Sequence, residues 1–433
     1  MMSAILPEPG VMGDSFWSAW RRRIVWAAVI LTLALSPINP VFLSMQGIET
    51  NESGGYGSGS LLGALAILLA LPDIPSLLNR NRLALVVFFL VPCLLPGVLL
   101  SAASERSIVV FVVWWVGYSW LALAAAACAS TMAFEKPIFY TVTASVGIVA
   151  SLSLLKAYTG IDIPYLNEVG RASGLSTSAG TAWAVLGPFL SRSQAAIVME
   201  TLTMFLAAFA LLTTRRLYRY VALTTVGLSV AFMLQTTNRS FFVSIIVASQ
   251  ALLLLCRRLK LRTTPAWVLV GVLTVVILSS SSYASYVEYQ RESTLQTWLR
   301  GEFSESDMVR VDLFSVALES LLDGNLFGHG PVDIPIYGEA GDPHNAFVFL
   351  LWTGGIPAVL WTITFFVVTG RTLIVSLRTP RARTAVLYIV TVVAAFAGGI
   401  GHNSLNDRSL WIFLGLFMAT ATENSARAAA PQP

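Results

Sequence analysis

The sequence predicts an all-α polytopic membrane protein of about twelve transmembrane helices, with a long extracytoplasmic loop capping the outer face. Three observations lead there. Of 433 residues, 56% are hydrophobic and only 12% are charged, against about 25% charged in a soluble domain. Mean hydropathy is +0.73. The apolar residues gather into runs of about 20, the length that a hydrocarbon core of about 30 Å requires of a helix.

Along the chain the candidate spans are 24–45, 60–78, 83–101, 107–133, 137–157, 193–213, 219–236, 240–256, 266–283, 346–369, 384–401 and 409–422. The first follows Arg21-Arg22-Arg23. Its length, with no small-residue cleavage site after it, marks a retained span and not a signal peptide. Gly180–Ser191 is an extra apolar piece before the sixth span and reads as an interfacial or re-entrant helix. The longest connection, 284–345, carries eleven acids and three arginines. Within it Val309–Leu322 (VRVDLFSVALESLL) has apolar residues at helical spacing, which predicts a small helical cap. The chain thus divides into spans one to nine over 1–283, the cap over 284–345, and spans ten to twelve with a short tail over 346–433.

An even number of spans puts both termini on one side, and charge decides which. Lys and Arg are retained in the cytoplasm. Of the 27 basic residues, 18 fall in the connections that share a side with the termini, among them Arg21–Arg23, Arg80, Arg82, Arg215, Arg216, Arg257 and Arg378. Both termini are therefore expected inside. The three cysteines, Cys93, Cys128 and Cys256, lie in or beside apolar runs without metal-ligand spacing and read as buried thiols. No Asp-x-Asp or Glu/His cluster argues for a metal, and no cofactor is expected.

Only three histidines occur. One stands in Gly341-Asp-Pro-His-Asn345, where a polar loop runs into the tenth span. Asp342-Pro343 reads as a helix start, with Asp at the N-cap and Pro at the first helical position. His344 then falls in the first turn. Free N–H groups there favour an anion, and the positive dipole end favours a neutral imidazole able to act as a base. Gly355 is eleven residues on, about 20° from a whole number of turns, hence on the same face. A glycine there admits a close neighbour, and Pro357 is expected to kink the helix just below. His344 also reads as a helix-capping or interface residue, and Asn345 equally as a cap or a substrate contact.

These residues resemble the O-antigen ligase and O-antigen polymerase superfamily. Its motif of His, then Asn, Ser or Gln, nine residues, then Gly is similar to His344, Asn345 and Gly355; Ala358, at a later position of the motif, departs from it. Arg171-Ala-Ser-Gly174 is similar to the family's R-x-x-G in an outer loop, and Thr237-Asn-Arg239-Ser to its (S/T)-x-R-(S/G) at the outer end of a span. Arg310, ahead of Asp323-Gly-Asn-Leu-Phe-Gly-His-Gly330, resembles the family's approach to its histidine. The resemblance covers most of the layout through four short motifs.

The resemblance implies a GT-C-like glycosyltransferase of the bacterial inner membrane, with its active site facing the periplasm. The donor would be a glycan on undecaprenyl diphosphate. The product would be surface polysaccharide such as O-antigen or exopolysaccharide, made by polymerisation. The alternative is ligation of the glycan to a lipid A core in lipopolysaccharide biosynthesis. His344 would be the base, Arg171, Arg239 and Arg310 would hold the diphosphate, and Asn345, Gly355 and Asp342 would support them. A flippase and a chain-length regulator would be partners, and no nucleic acid is involved. Arginine suits a diphosphate because its planar fork gives bidentate bonds and stays charged.

Other candidates compete. Glu200 falls inside the sixth span, and intramembrane carboxylates are functional candidates by default. His402-Asn403 repeats the His-Asn pair, but Phe413 stands where glycine is required. His329 reads as a loop residue, the Trp114–Trp120 run as bundle packing or an interface belt, and Arg106, Arg192 and Arg408 as snorkelling side chains. A transporter or lipid-glycan flippase is the competing class. Against it stand the lack of an inverted repeat and of paired broken helices.

Overall fold

The structure, a computed structural model, describes residues 14–37, 58–100, 108, 111–129, 134–159, 161, 163, 166–169, 184–189, 192–236, 239–261, 305–331, 334–336, 339–341, 345–400, 405 and 407–428. It is a helical bundle. Among the described residues seven helices are long and apolar enough to cross a membrane, and three shorter apolar helices accompany them. Every expected span that falls on described residues is helical; the ninth, 266–283, lies outside them.

In chain order the helices are α1 (Asp14–Leu35), α2 (Ser58–Ala70), α3 (Ile74–Arg80), α4 (Arg82–Leu100), α5 (Ser119–Ala129), α6 (Glu135–Thr159), α7 (Arg192–Leu212), α8 (Arg216–Thr236), α9 (Arg239–Arg258), α10 (Glu305–Leu322), α11 (Ala346–Ser376), α12 (Ala382–Gly398) and α13 (Arg408–Ala428). A π-helical stretch, Phe111–Tyr118, leads into α5. Two short antiparallel ladders complete the described fold: β1 (Asn167–Val169) with β2 (Ala184–Gly187), and β3 (Ile334–Ile336) with β4 (Glu339–Gly341).

Two boundaries correct the sequence reading. α1 begins at Asp14 and ends at Leu35, about ten residues earlier than expected. The arginine triplet therefore lies within the helix. Arg21 and Arg22 are accommodated there because both reach the Asp73 carboxylate, at 2.9 and 3.4 Å. Ala184–Gly187 is a strand and not part of an interfacial helix. Gly187-Pro188 explains this: a residue ahead of proline is pushed out of the helical region, and the run is too short to recover.

Cross-links between distant loops define two ends of the bundle. At one end Arg21 and Arg22 meet Asp73, the Thr384 hydroxyl donates to Glu135, and the Tyr140 and Tyr218 hydroxyls bond at 2.9 Å. Asn81, buried between α3 and α4, caps α4 through its Oδ1 and donates to the Met418 carbonyl at 2.9 Å. This basic end collects the connections that the charge count assigned to the side of the termini. Lys156, whose amine donates to Leu166 O at 2.7 Å, and the α11–α12 contacts below mark the far end.

Helix α7 runs through the centre, with both faces buried against α8, α9, α12 and α6. Aromatic stacking ties this core: Phe205 lies against Phe413 (5.1 Å between centroids) and Phe139 against Phe209 (4.3 Å). Trp115 stacks on Phe349 and Trp120 on Phe88, so these two members of the tryptophan run serve packing. The outward faces carry exposed Leu61, Leu99 and Val367, the surface a lipid solvent favours. Cys128 and Cys256 are buried and Cys93 half-buried, all free thiols.

Candidate functional site

The far end of α11 shows how the chain builds a rim there. The helix starts at Ala346, and its N-cap is Asn345, whose side chain accepts from Phe347 N (2.9 Å) and Val348 N (3.2 Å). The described helix thus starts after Asn345, while the expected cap Asp342 and His344 lie outside the described residues. Asn serves because its short side chain reaches N–H groups two and three residues on, as a cap must. Asn345 also donates to Ile400 O (3.1 Å), and Ala346 N donates to Gly399 O (2.8 Å). The segment that follows His344 is therefore bolted to the C-terminus of α12. Asn345→Ala removes the cap and the tie together. We expect a loss of about 1–2 kcal/mol, readable as a lower melting temperature in detergent.

The second feature is a break in α11. Gly355 has φ 55° and ψ −139°, a backbone region closed to side chains. The kink expected at Pro357 is thus made two residues earlier. Pro357 falls in the first turn of the lower half-helix, where its missing N–H costs nothing. A break inside hydrocarbon must satisfy its freed backbone groups. Here the loop after α10 does so. Leu326 O accepts from Ile356 N (2.9 Å), His329 N donates to Trp352 O (2.8 Å), and Gly330 N donates to Thr353 O (3.0 Å).

Glycines permit this insertion. Gly324, Gly328 and Gly330 have φ of 97°, 77° and 72°. A Cβ on Gly328 would lie 2.6 Å from Trp352 O, and one on Gly97 of α4 would overlap Thr353 O. Gly355 therefore receives a loop, and not the neighbouring helix that its spacing suggested.

His329 locks the loop. Its ring stacks on Trp352 with centroids 3.9 Å apart. Its nitrogens meet the Ser320 hydroxyl (2.6 Å) and the Asn325 amide (2.9 and 3.2 Å). Burial holds its pKa below the ordinary value, so the ring is neutral and can accept. Far from a passive loop residue, it joins α10 to the upper half of α11. Leu313 and Ala317 of α10 complete the joint with Ile334, Val348 and Trp352.

Beneath the rim lies a buried polar group. Glu200 of α7 is fully buried. Its carboxylate fills the space beside Gly398, where a Cβ would overlap both oxygens. Asp407, just ahead of α13, accepts from Ser409 N (2.9 Å) and the Ser409 hydroxyl. Burial pushes the Asp407 carboxyl up to about 6, against these bonds. The Arg408 guanidinium lies 5.4 Å from the Tyr118 ring centroid, a cation–π contact in place of the expected snorkelling. Sequence reading found Glu200 but missed Asp407; Asp407-Arg-Ser409 before an apolar run is a helix-start signal that pointed to it.

An apolar groove of about 560 Å³ runs along the bundle from the break. Leu85, Phe89 and Cys93 of α4 form one wall, Pro357 and Leu360 of α11 the other, and Leu326 and Phe327 close its upper end.

Of the residues singled out for chemistry, Asn345, Gly355 and Glu200 are placed as described. Arg171, Asp342, His344 and His402 lie outside the described residues. Arg239 and Arg310 are placed by backbone: Arg239 opens α9, and Arg310 lies in the first half of α10. Among the described residues no group of three or more His, Cys, Asp or Glu is arranged to hold a metal. No protein-family model matches the chain, and no curated protein matches its sequence.

Proposed function

We propose that the protein is a membrane glycosyltransferase that uses an undecaprenyl-diphosphate-linked glycan as donor and polymerises a surface polysaccharide. Ligation of the same glycan to a lipid A core is the close alternative. In this reading the chain has twelve spans in a GT-C-like arrangement in the bacterial inner membrane. Its termini are cytoplasmic and its far end faces outward.

The reading is supported by the seating of three motif-bearing segments, the fourth, around Arg171, lying outside the described residues. The strand of chain after His344 is tied to the α12 terminus beside Glu200. α9, which Arg239 opens, packs on α7, the helix that carries Glu200. α10, which carries Arg310, packs on the upper half of α11. The groove below the break suits a polyprenyl tail, since it is apolar and opens between spans.

In the reaction an acceptor hydroxyl attacks the anomeric carbon while His344 takes its proton. The carbon–oxygen bond to the lipid diphosphate breaks with inversion, and Arg171, Arg239 and Arg310 hold the leaving charge. Fixed cations of this kind are worth about 10²–10³ in rate. Arg310→Ala and Arg239→Ala should each lower release of lipid diphosphate from lipid-linked glycan by about a hundredfold, in purified protein that still folds. Wild-type release by both variants would refute the arginine assignment.

One observation favours a second reading, a lipid-glycan flippase: α11 is broken at Gly355, and broken helices line transport sites. The same assay separates the two. A flippase moves the lipid-linked glycan across a vesicle and releases no lipid diphosphate.

A further inference from the structure

The basic end carries a feature that the proposed chemistry does not use. Tyr140 of α6 and Tyr218 of α8 bring their hydroxyls to 2.9 Å. The Arg215 guanidinium lies 5.5 Å from the Tyr218 ring centroid. Lys136, one turn before Tyr140, also faces Tyr218 closely enough to act on its charge. Arg216 stands beside Arg215. Lys136, Arg215 and Arg216 are all exposed, and among the described residues none of the three forms an ion pair. Arg219 differs, since its guanidinium is used on Ala210 O (3.1 Å) and Thr213 O (2.8 Å) at the end of α7.

Of the two phenol protons one lies in this bond, whichever hydroxyl donates, and the other is left for an acceptor from outside; Tyr140 is 54% exposed. Exposed cations and a phenol donor thus share the turn into α8 and the start of α6. Leu217, exposed at 69%, offers apolar surface beside them. Phosphate oxygens satisfy such a set, and the adjoining leucine suits an acyl chain.

We propose that Lys136, Arg215, Arg216 and the Tyr140–Tyr218 pair form a binding site for the phosphate of an anionic phospholipid headgroup at the basic end of the bundle. The site is independent of the glycosyltransferase reading. It anchors the α7–α8 turn to the α6 start in the leaflet that the basic loops face. Each cation near an anionic membrane surface adds about fivefold to binding.

The test is native mass spectrometry of the full chain with phosphatidylglycerol, phosphatidylcholine or excess inorganic phosphate. Wild type should retain phosphatidylglycerol over phosphatidylcholine. The double variant Arg215→Gln/Arg216→Gln should bind phosphatidylglycerol at least about tenfold more weakly, and Tyr140→Phe severalfold more weakly. Arg371→Gln/Arg378→Gln, which removes two other exposed arginines of the basic end, should change little. Three results would overturn the proposal: unchanged binding in the first double variant, an equal loss in the control, or displacement of the lipid by inorganic phosphate, which would assign the site to a soluble anion.

Discussion

Replacing His344 with alanine should lower glycan transfer by at least about a hundredfold while leaving the protein folded in the membrane. General-base assistance is worth about 10²–10⁴ in rate, and an alanine can neither accept nor orient the acceptor proton. The fold should tolerate the change, because the helix start depends on Asn345 and not on its neighbour. Asn345 makes the cap and the tie to Ile400 through its own side chain. The measurement is release of lipid diphosphate and formation of new glycosidic product by purified protein, with melting temperature recorded alongside. Wild-type turnover in His344→Ala would remove the histidine from the reaction. His402→Ala is the matched control: its pair with Asn403 lacks the later glycine, and it should transfer glycan at close to the wild-type rate.

Gly355→Ala should be strongly destabilising, at roughly 3–5 kcal/mol. Two terms add. The native φ of 55° and ψ of −139° exclude a Cβ, at a cost of about 1–3 kcal/mol. A Cβ would also overlap the Leu326 carbonyl, which accepts from Ile356 N across the break. Displacing that carbonyl strands a buried N–H, worth about 1–3 kcal/mol more. Thermal unfolding in detergent checks this, with Pro357→Ala as the contrast. Pro357 occupies a first-turn position where no N–H is required, so its replacement should shift stability by less than about 1 kcal/mol. Equal melting temperatures for wild type and Gly355→Ala would mean that the loop does not seat in the break.

The helices were legible because apolar runs of spanning length have no other stable form in lipid. The amphipathic segment in the cap was legible for the same kind of reason: Val309–Leu322 repeats at helical spacing and lies within α10. What escaped was decided by contacts between distant residues. Asp342-Pro343 is a sound local helix start, yet the described helix is capped by Asn345, whose amide finds a partner in Ile400, 55 residues away. Nothing local to Gly355 announces that residues near 328 will replace the broken turn. His329 looked incidental because its stacking partner, Trp352, belongs to another helix. Glu200 was visible as an acid in an apolar run, whereas its setting needs Gly398 from another helix. The Gly180–Ser191 misreading was avoidable, since Gly187-Pro188 already argued against a helix.

The account rests on a shared site for His344 and the arginines at the far end of α11, and one measurement addresses it directly. A cryo-electron-microscopy map of the protein bound to lipid-linked glycan should show the diphosphate within salt-bridge reach of Arg239 and Arg310, about 4 Å. The polyprenyl tail should lie in the groove between α4 and α11, with the His344 imidazole beside the anomeric carbon. A map with the diphosphate at the basic end, or with those arginines facing lipid and the groove empty, would contradict the account.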